Sequence, residues 1–515
     1  MLPSLCPFQT LLDLSWRNRK IAAFVLGMIA VLGLSPIHLI FMIIPAFSGI
    51  VLLLQTVSTP RQAFTLGWFF GFGYFFAGLY WVSFALQAAG VAYLMPLAVF
   101  GLPAILAILP ALAIVSTYFL SSRDIVVRVL VFTICMSMSE WLRGRIFTGF
   151  PWNLLGYVWD LSMLQTTAWV GIYGLTLLTI LAASIVATRS IRWVGSVWVV
   201  MLILWIGGHY RLEGSKDVAL TTVNMRIVQA SIPQQQKHSL EHLEKNLQKH
   251  IALSQLPAAK PLQAILWAES TVPFFVDQYP ILRKMLSEAV PLEGGFLLFG
   301  NPRQSQEDGV TKYWNSLLAL NGDGKILASY DKTHLVPFGE YIPLRSIFSN
   351  IPKLTHGTMD FTQGQGFETI KLLGLPSFSP LVCYEAIFPG AVTDHDDRPD
   401  WILNITNDAW YGRTSGPYQH LAIVRVRSIE EGLPLVRVAN NGVSAVVDPY
   451  GRILYQLGLD EIGFIDFTLP KAIAPSFYSH WRNSSFWLMI IGLSMITCYL
   501  RRADFRASNS RSPLL

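Results

Sequence analysis

"SPLVCYEAIFPG", residues 379–390, decides how half of this chain is read. An apolar run closes on Cys383, Tyr384 and Glu385, and a Pro-Gly pair then turns the chain. The run is too short to cross a bilayer, which takes about 20 apolar residues, and its end is too polar for plain core. It reads as a buried strand that brings a thiol and a carboxylate to the edge of an α/β sheet, where side chains converge on clefts. Similar short apolar runs bounded by turn residues surround it: "MRIVQASI" (225–232), "LQAILWAE" (262–269), "GGFLLFG" (294–300) and "DWILNITN" (400–407). Residues 314–332 read as a hairpin turning at Asn321–Gly324, and 443–457 as a second turning at Pro449–Gly451. Between them, "GPYQHLAIVRVRSIEEG" has helical spacing. The block from 211 to 482 is therefore expected to be an α/β domain with helices outside sheets.

The remainder is of another kind. The chain has 515 residues, of which 52% are hydrophobic and only 14% charged, whereas soluble proteins are nearer a quarter charged. Between Lys20 and Arg123 the only charged residue is Arg61. Residues 21–58 and 62–122 each have room for two membrane spans, and further candidates lie at 125–141, 161–188, 193–210 and 483–500. That makes about eight spans. Arg17, Arg19, Lys20, Arg61, Arg123, Arg128, Arg189, Arg192, Arg501 and Arg502 then fall on one side, which the positive-inside rule makes cytoplasmic. The expected organisation is a cytoplasmic N-terminus (1–20), a transmembrane domain (21–210), an external α/β domain (211–482), a final span (483–500) and a cytoplasmic tail (501–515). Arg143 and Arg145, in "EWLRGRIFTGFPW", break the pattern. Either the fifth span is misplaced or these arginines meet something anionic. Residues 1–20 lack the marks of a removable signal.

Of four cysteines, only Cys383 lies in the polar block, so neither a disulfide framework nor a thiolate metal site is expected. No metal, nucleotide or nucleic-acid motif is present, and no cofactor is expected. Three stretches carry candidate chemistry: "LWAEST" with Glu269, "YDKTHLVPFGEYIP" with Lys332 and Glu340, and the opening stretch with Cys383, Tyr384 and Glu385. A carboxylate, an ammonium and a thiol together suit acyl transfer. Taken singly, each has a bland reading: inert core for the cysteine, a solvated strand end for Glu269, a surface ion pair for Lys332. Spacing alone does not bring them together.

"HLVPFGEYIP", "VCYE", "NDAWYG" with "GPYQH", "ANNG", and "EWLRG" with "TGFPW" resemble the motifs of the nitrilase superfamily, and within it the membrane-bound apolipoprotein N-acyltransferase family. The resemblance covers nearly the whole chain. It implies an αββα sandwich carrying a Glu–Lys–Cys triad. Cys383 becomes the nucleophile, Glu269 the general base and Lys332 the oxyanion partner, with Glu340, Tyr384 and Glu385 in support. The family moves a fatty acyl chain from a phospholipid to the N-terminal amine of a diacylglyceryl-cysteine, by a ping-pong reaction through a cysteine thioester. The implied partners are the phospholipid donor, the diacylated apolipoprotein and membrane lipids. The implied location is the bacterial inner membrane with a periplasmic catalytic domain, and the chain is expected to act as a monomer. Trp81, Arg143, Trp152 and His238 are candidate substrate contacts. Two departures stand out: the family often has tryptophan after the lysine that follows "IPQ", where this chain has Lys237–His238, and "SPIH" replaces Ala-Pro-Phe near the first span. A membrane-anchored amidase sharing the triad is the alternative enzyme. A transporter is the alternative of another class, disfavoured because the span interiors are nearly free of charge.

Overall fold

The computed structural model describes residues 11–237, 239–291, 294–307, 309–345, 353–354 and 360–510; His238 and Cys6 lie outside them. The chain divides into two compact units, one of Met1–Ser83, Tyr93–Gly214 and His480–Leu515, the other of Phe84–Ala92 and Ser215–Ser479. The second unit thus takes in a segment, 84–92, from inside the long apolar region.

The first unit is helical. Five described helices are long and apolar enough to cross a membrane: Ala92–Leu120, Ile125–Arg143, Thr167–Thr188, Ile191–Glu213 and Ser484–Ala503. Pro60–Leu79 with Val82–Ala88, bent by 47°, would make a sixth, and Ile40–Leu54 is a shorter apolar helix. Each of the expected span regions holds a helix, although not each helix is of spanning length. Local sequence sets the starts. The Thr59 side chain accepts from Gln62 N at the head of Pro60–Leu79, and Asp124 accepts from Val127 N before Ile125–Arg143. The apolar window of Thr167–Thr188 is 78% buried and that of Ile191–Glu213 only 11%, so the former is central and the latter peripheral. The peripheral helix exposes Val199, Leu202, Ile203 and Ile206, an apolar surface suited to lipid. Gly27 lets Trp16–Val31 lie against the backbone of Pro60–Leu79, since a Cβ there would strike Phe70 O. Small residues at helix contacts are how membrane helices approach closely.

The second unit is a sandwich of two six-stranded sheets. Its strands are β1 (Leu220–Gln229), β2 (Ala264–Leu266), β3 (Phe296–Glu307), β4 (Val310–Asn321), β5 (Ile326–Asp331), β6 (Ile370–Leu372), β7 (Leu375–Val382), β8 (Trp401–Thr406), β9 (Leu435–Ala439), β10 (Ser444–Val447), β11 (Ile453–Leu457) and β12 (Gly463–Pro470). The orders are β12-β1-β2-β3-β4-β5 and β11-β10-β9-β8-β7-β6. β1, β2 and β3 run parallel, as do β7, β8 and β9. Both expected hairpins form, β4–β5 and β10–β11.

Alternation along the strands builds the layers. Met225, Ile227, Leu266, Leu298 and Leu317 meet Phe378, Leu403, Ile405, Val436 and Val446 between the sheets. The intervening Ile265, Trp267, Leu297 and Leu318 face outward and pack on Leu247 and Ile251 of the Leu240–Ser254 helix and Leu286 of Pro280–Ser287. On the other side Ile402, Leu435 and Ala445 pack on Leu421 and Val424 of Gly416–Glu431. The result is αββα, with parallel central strands whose C-terminal ends lie together.

Candidate active site

Three strand ends supply the candidate residues. Glu269 comes three residues beyond β2, rather than at the strand's last position. Gly300 on β3 allows its loop to settle there, because a Cβ at that position would strike the Glu269 backbone. Lys332 directly follows β5. Cys383 directly follows β7 and opens a 3-10 turn, Cys383–Ile387. Its φ of +54° is in the left-handed region, where non-glycine residues are uncommon and carry strain. The turn is held by Glu385, whose Oε2 accepts from Val382 N (2.7 Å) while Oε1 accepts from Tyr330 OH (2.8 Å), Thr333 N (2.6 Å) and His334 N (3.1 Å). Glu385 thereby ties the cysteine turn to the segment that follows Lys332.

The structure brings Glu269, Lys332 and Cys383 together, each nearly sealed from water at 6%, 1% and 7% exposure. Lys332 Nζ lies 3.0 Å from Glu340 and 4.0 Å from Glu269 Oε1. Asn315 Nδ2 donates to Glu269 Oε1 and to Glu340 Oε1, both at 2.8 Å, and holds the two carboxylates on either side of the ammonium. Asn407 N donates to Glu269 Oε2 (2.8 Å) and Val336 N to Glu340 Oε2 (2.8 Å). Lys237, also buried, donates from Nζ to the Glu269 carbonyl at 2.8 Å.

The electrostatics follow from burial and neighbours. Burial pushes the Cys383 thiol up to about 12; Glu269 adds to this, while Lys332 opposes it. Burial works against the Lys332 ammonium, but Glu340, and after it Glu269, outweigh it and hold the pKa above the ordinary lysine value. Burial brings Lys237 down to about 8, against the pull of Glu269 and Cys383. Burial raises Glu385 to about 7 in spite of its donors. Behind the site sits a second buried cluster. Asp408 Oδ2 accepts from Arg437 Nη2 at 2.6 Å, Asp408 Oδ1 lies 3.0 Å from His420 Nδ1, and Arg437 Nη1 donates to Asn404 Oδ1 at 2.5 Å. It anchors the loop whose preceding residue, Asn407, binds Glu269.

Residues 225–481 match the carbon-nitrogen hydrolase family, and residues 26–185 match the apolipoprotein N-acyltransferase N-terminal domain. An apolipoprotein N-acyltransferase from Rhodopseudomonas palustris is 36% identical over 90% of this chain and 92% of its own length. One from Rickettsia bellii is 35% identical over 96% of this chain and 99% of its own. This chain belongs to the apolipoprotein N-acyltransferase family. Among solved structures, a mutant of an amidase of the nitrilase superfamily from Nesterenkonia AN1 is 21% identical, with a TM-score of 0.37, over 51% of this chain and 95% of that one. Membership in this family makes the chain an acyltransferase with a carbon-nitrogen-hydrolase-like α/β sandwich, attached to a helical region that carries the family's own N-terminal domain.

The other candidates for substrate contact lie in the helical unit and are buried. Arg143 is 2% exposed. It bonds Glu140 Oε2 at 2.5 Å and the Phe150 carbonyl, and lies over the Phe75 ring. Trp81 and Trp152, 4% and 1% exposed, face each other with ring centroids 4.7 Å apart. The "EWLRG" and "TGFPW" segments thus join through Arg143 inside their own unit, and its guanidinium is already engaged by a carboxylate and a carbonyl. Asn315 and Arg437 stand outside every motif legible in the sequence. Asn407, Asp408 and His420 lie within motifs that assign them no role, and Lys237 is marked only by its neighbour His238. The signal for Asn315 is faint: a lone amide in an otherwise apolar strand half.

Proposed function

We propose that this chain transfers a fatty acyl chain from a phospholipid to the N-terminal amine of a diacylglyceryl-cysteine on an apolipoprotein, through a thioester on Cys383. The observation that carries the proposal is the convergence of Glu269, Lys332 and Cys383, each nearly buried, in a chain with this family's architecture. In the first half-reaction the sulfur attacks the ester carbonyl carbon while Glu269 takes the thiol proton. The carbonyl oxygen becomes negative and faces the Lys332 ammonium and the backbone N–H of Tyr384. The ester C–O bond breaks, and Glu269 returns the proton to the departing lysophospholipid oxygen. In the second half-reaction the neutral amine attacks the thioester carbon, Glu269 accepts an amine proton, the C–S bond breaks and the proton goes to the sulfur. The product is an amide, and the thiol is restored.

Glu340 keeps Lys332 charged and aimed, and Glu385 sets the turn from which the sulfur projects. On this reading the enzyme sits in the bacterial inner membrane with both termini cytoplasmic and the α/β domain periplasmic, a topology that the arginines and lysine of the short loops favour, and it acts as a monomer. Incubation with phospholipid followed by peptide mapping is expected to find a fatty acyl adduct on Cys383. Adding a diacylated lipopeptide is then expected to discharge the adduct into N-acylated peptide. Release of free fatty acid alone would make the protein a hydrolase, and an unmodified Cys383 in a turning-over enzyme would remove the thioester from the scheme.

A further inference from the structure

A recess of about 200 Å³, lined among others by Ser231, Gln234, Ala409, Asn441, Asp460 and Ala88, is tied to the site by Gln234, whose partner Asn407 bonds Glu269. Two of its lining residues each carry a buried side-chain atom without a hydrogen-bond partner, Gln234 Nε2 and Asn441 Oδ1. Their identities are fixed by the network around them. Asn440 Nδ2 donates to Asn407 Oδ1 (3.1 Å), so Asn407 must present its Nδ2 to Gln234 Oε1 (2.9 Å). Gln234 is left with its N–H₂ unused, on a side chain 5% exposed. Asn441 Nδ2 donates to Asp460 Oδ1 (3.2 Å), and the reverse orientation would set two oxygens against each other. Its carbonyl oxygen is left unused. An orphaned buried polar atom costs about 1–3 kcal/mol, and two around one cavity call for a ligand.

That ligand has to accept one hydrogen bond and donate another. It has to be uncharged where it meets the recess, because the one carboxylate there, Asp460, is occupied by Arg413 Nε at 2.7 Å and by Asn441. A secondary amide fits, while a phosphate would find no unpaired cation among these lining groups. Ala88, Ala409 and Ser231 keep the walls small. Gln234 is joined through Asn407 to Glu269, the proposed base that takes a proton from the incoming amine. We infer that this recess binds the peptide backbone of the acceptor's first residues, Gln234 donating to a carbonyl and Asn441 accepting from an amide N–H, so that the amine is delivered to Glu269. The inference rests on the acyl-transfer reading above and adds to it how a peptide, rather than a lipid amine, is chosen.

The test uses the full chain in lipid nanodiscs and two acceptors with the same diacylglyceryl-cysteine: a short lipopeptide, and a methyl ester that lacks the following amide N–H. Thioester formation from phospholipid and its discharge are followed separately by mass spectrometry. Asn441→Ala removes the acceptor atom, and Ala88→Phe fills the recess without touching a hydrogen bond. Both variants are expected to form the thioester within about twofold of wild type and to discharge it to the lipopeptide about tenfold more slowly or worse, the scale of one lost hydrogen bond. Discharge to the methyl ester, which keeps the carbonyl but has no following amide N–H, is expected to be unchanged in Asn441→Ala and slowed in Ala88→Phe. Lipopeptide discharge at the wild-type rate in Ala88→Phe, or equal losses for both acceptors in Asn441→Ala, would overturn the inference. Absence of any thioester in the wild type would instead overturn the acyl-transfer reading on which it stands.

Discussion

Replacing Glu269 with glutamine separates two effects that ordinarily move together. In the wild type, burial and the Glu269 carboxylate hold the Cys383 thiol at about 12. At pH 8 such a thiol is ionised to about one part in 10⁴, a cost of about 5 kcal/mol. A preformed thiolate is therefore scarce, and the proton has to leave as the sulfur attacks. Glu269→Gln removes a negative charge that raises the thiol pKa, so the thiol ionises at lower pH. The same change removes the base, and general-base assistance is worth about 10²–10⁴ in rate. Alkylation of Cys383 by iodoacetamide, a small neutral reagent, mapped across pH 7–11, is expected to be faster in the variant at every pH. Acyl transfer from phospholipid is expected to fall by about 10²–10⁴. The two readouts move in opposite directions, which a distorted pocket would not produce. Slower alkylation in the variant, or turnover within tenfold of wild type, would refute the assignment of Glu269 as base.

Lys332→Met works with the opposite sign on the thiol: Lys332 lowers its pKa, so alkylation of Cys383 is expected to slow, while turnover falls by about 10²–10³ through loss of an oxyanion donor. Both are read in the same two assays. Glu385 has a folded pKa raised to about 7 by burial. Its folded carboxyl keeps a proton that the unfolded chain releases, so its contribution to stability falls as pH rises from about 4.5 through about 7, by about 3 kcal/mol. Glu385→Gln is expected to abolish that slope and to cost about 1–3 kcal/mol at low pH, because an amide N–H₂ would then face Val382 N–H; thermal unfolding of both proteins at pH 5 and pH 8 checks this. Arg437→Leu takes from the buried Asp408 its guanidinium partner and leaves it only His420 and Thr406, at a cost of about 3–5 kcal/mol. Its melting temperature is expected to fall sharply and to recover in part when Asp408→Asn is added.

The strands legible in the sequence are those whose apolar runs are uninterrupted, such as Trp401–Thr406 at the centre of its sheet. β9 escaped notice because Arg437 stands in its middle. The charge is tolerated there only because Asp408 and Asn404 neutralise and bind it, and neither contact can be read from spacing. Arg226 in β1 is a milder case, since its guanidinium pairs with Asp466 of β12, distant in sequence by more than half the domain. Segment 84–92 reads with the spans in sequence, although it groups with the second unit, because an apolar residue that packs on a protein domain looks, in sequence, like one that packs on lipid. In the site, the residues that react were legible because their types are rare in apolar runs. The residues that orient them were not. Asn315 and Asn407 do their work through one amide or one backbone N–H, and such atoms leave no compositional trace.

The dryness of the site bears on which acceptor a thioester at Cys383 would meet. Hydrolysis and aminolysis share every group described here, so the triad cannot choose between them. The difference lies in access and in concentration. Glu269 and Lys332 are nearly fully buried, yet each is bonded on more than one side, through Asn315, Asn407 and Glu340. No mobile water is needed to solvate them. A pocket that satisfies its own charges can exclude solvent while it waits, and an acyl group held there is consumed only by a nucleophile that brings binding energy of its own. An amine carried on a lipid anchor and a peptide has that energy, and water does not. The polar recess joined to Glu269 through Gln234 and Asn407 is where part of it would be realised.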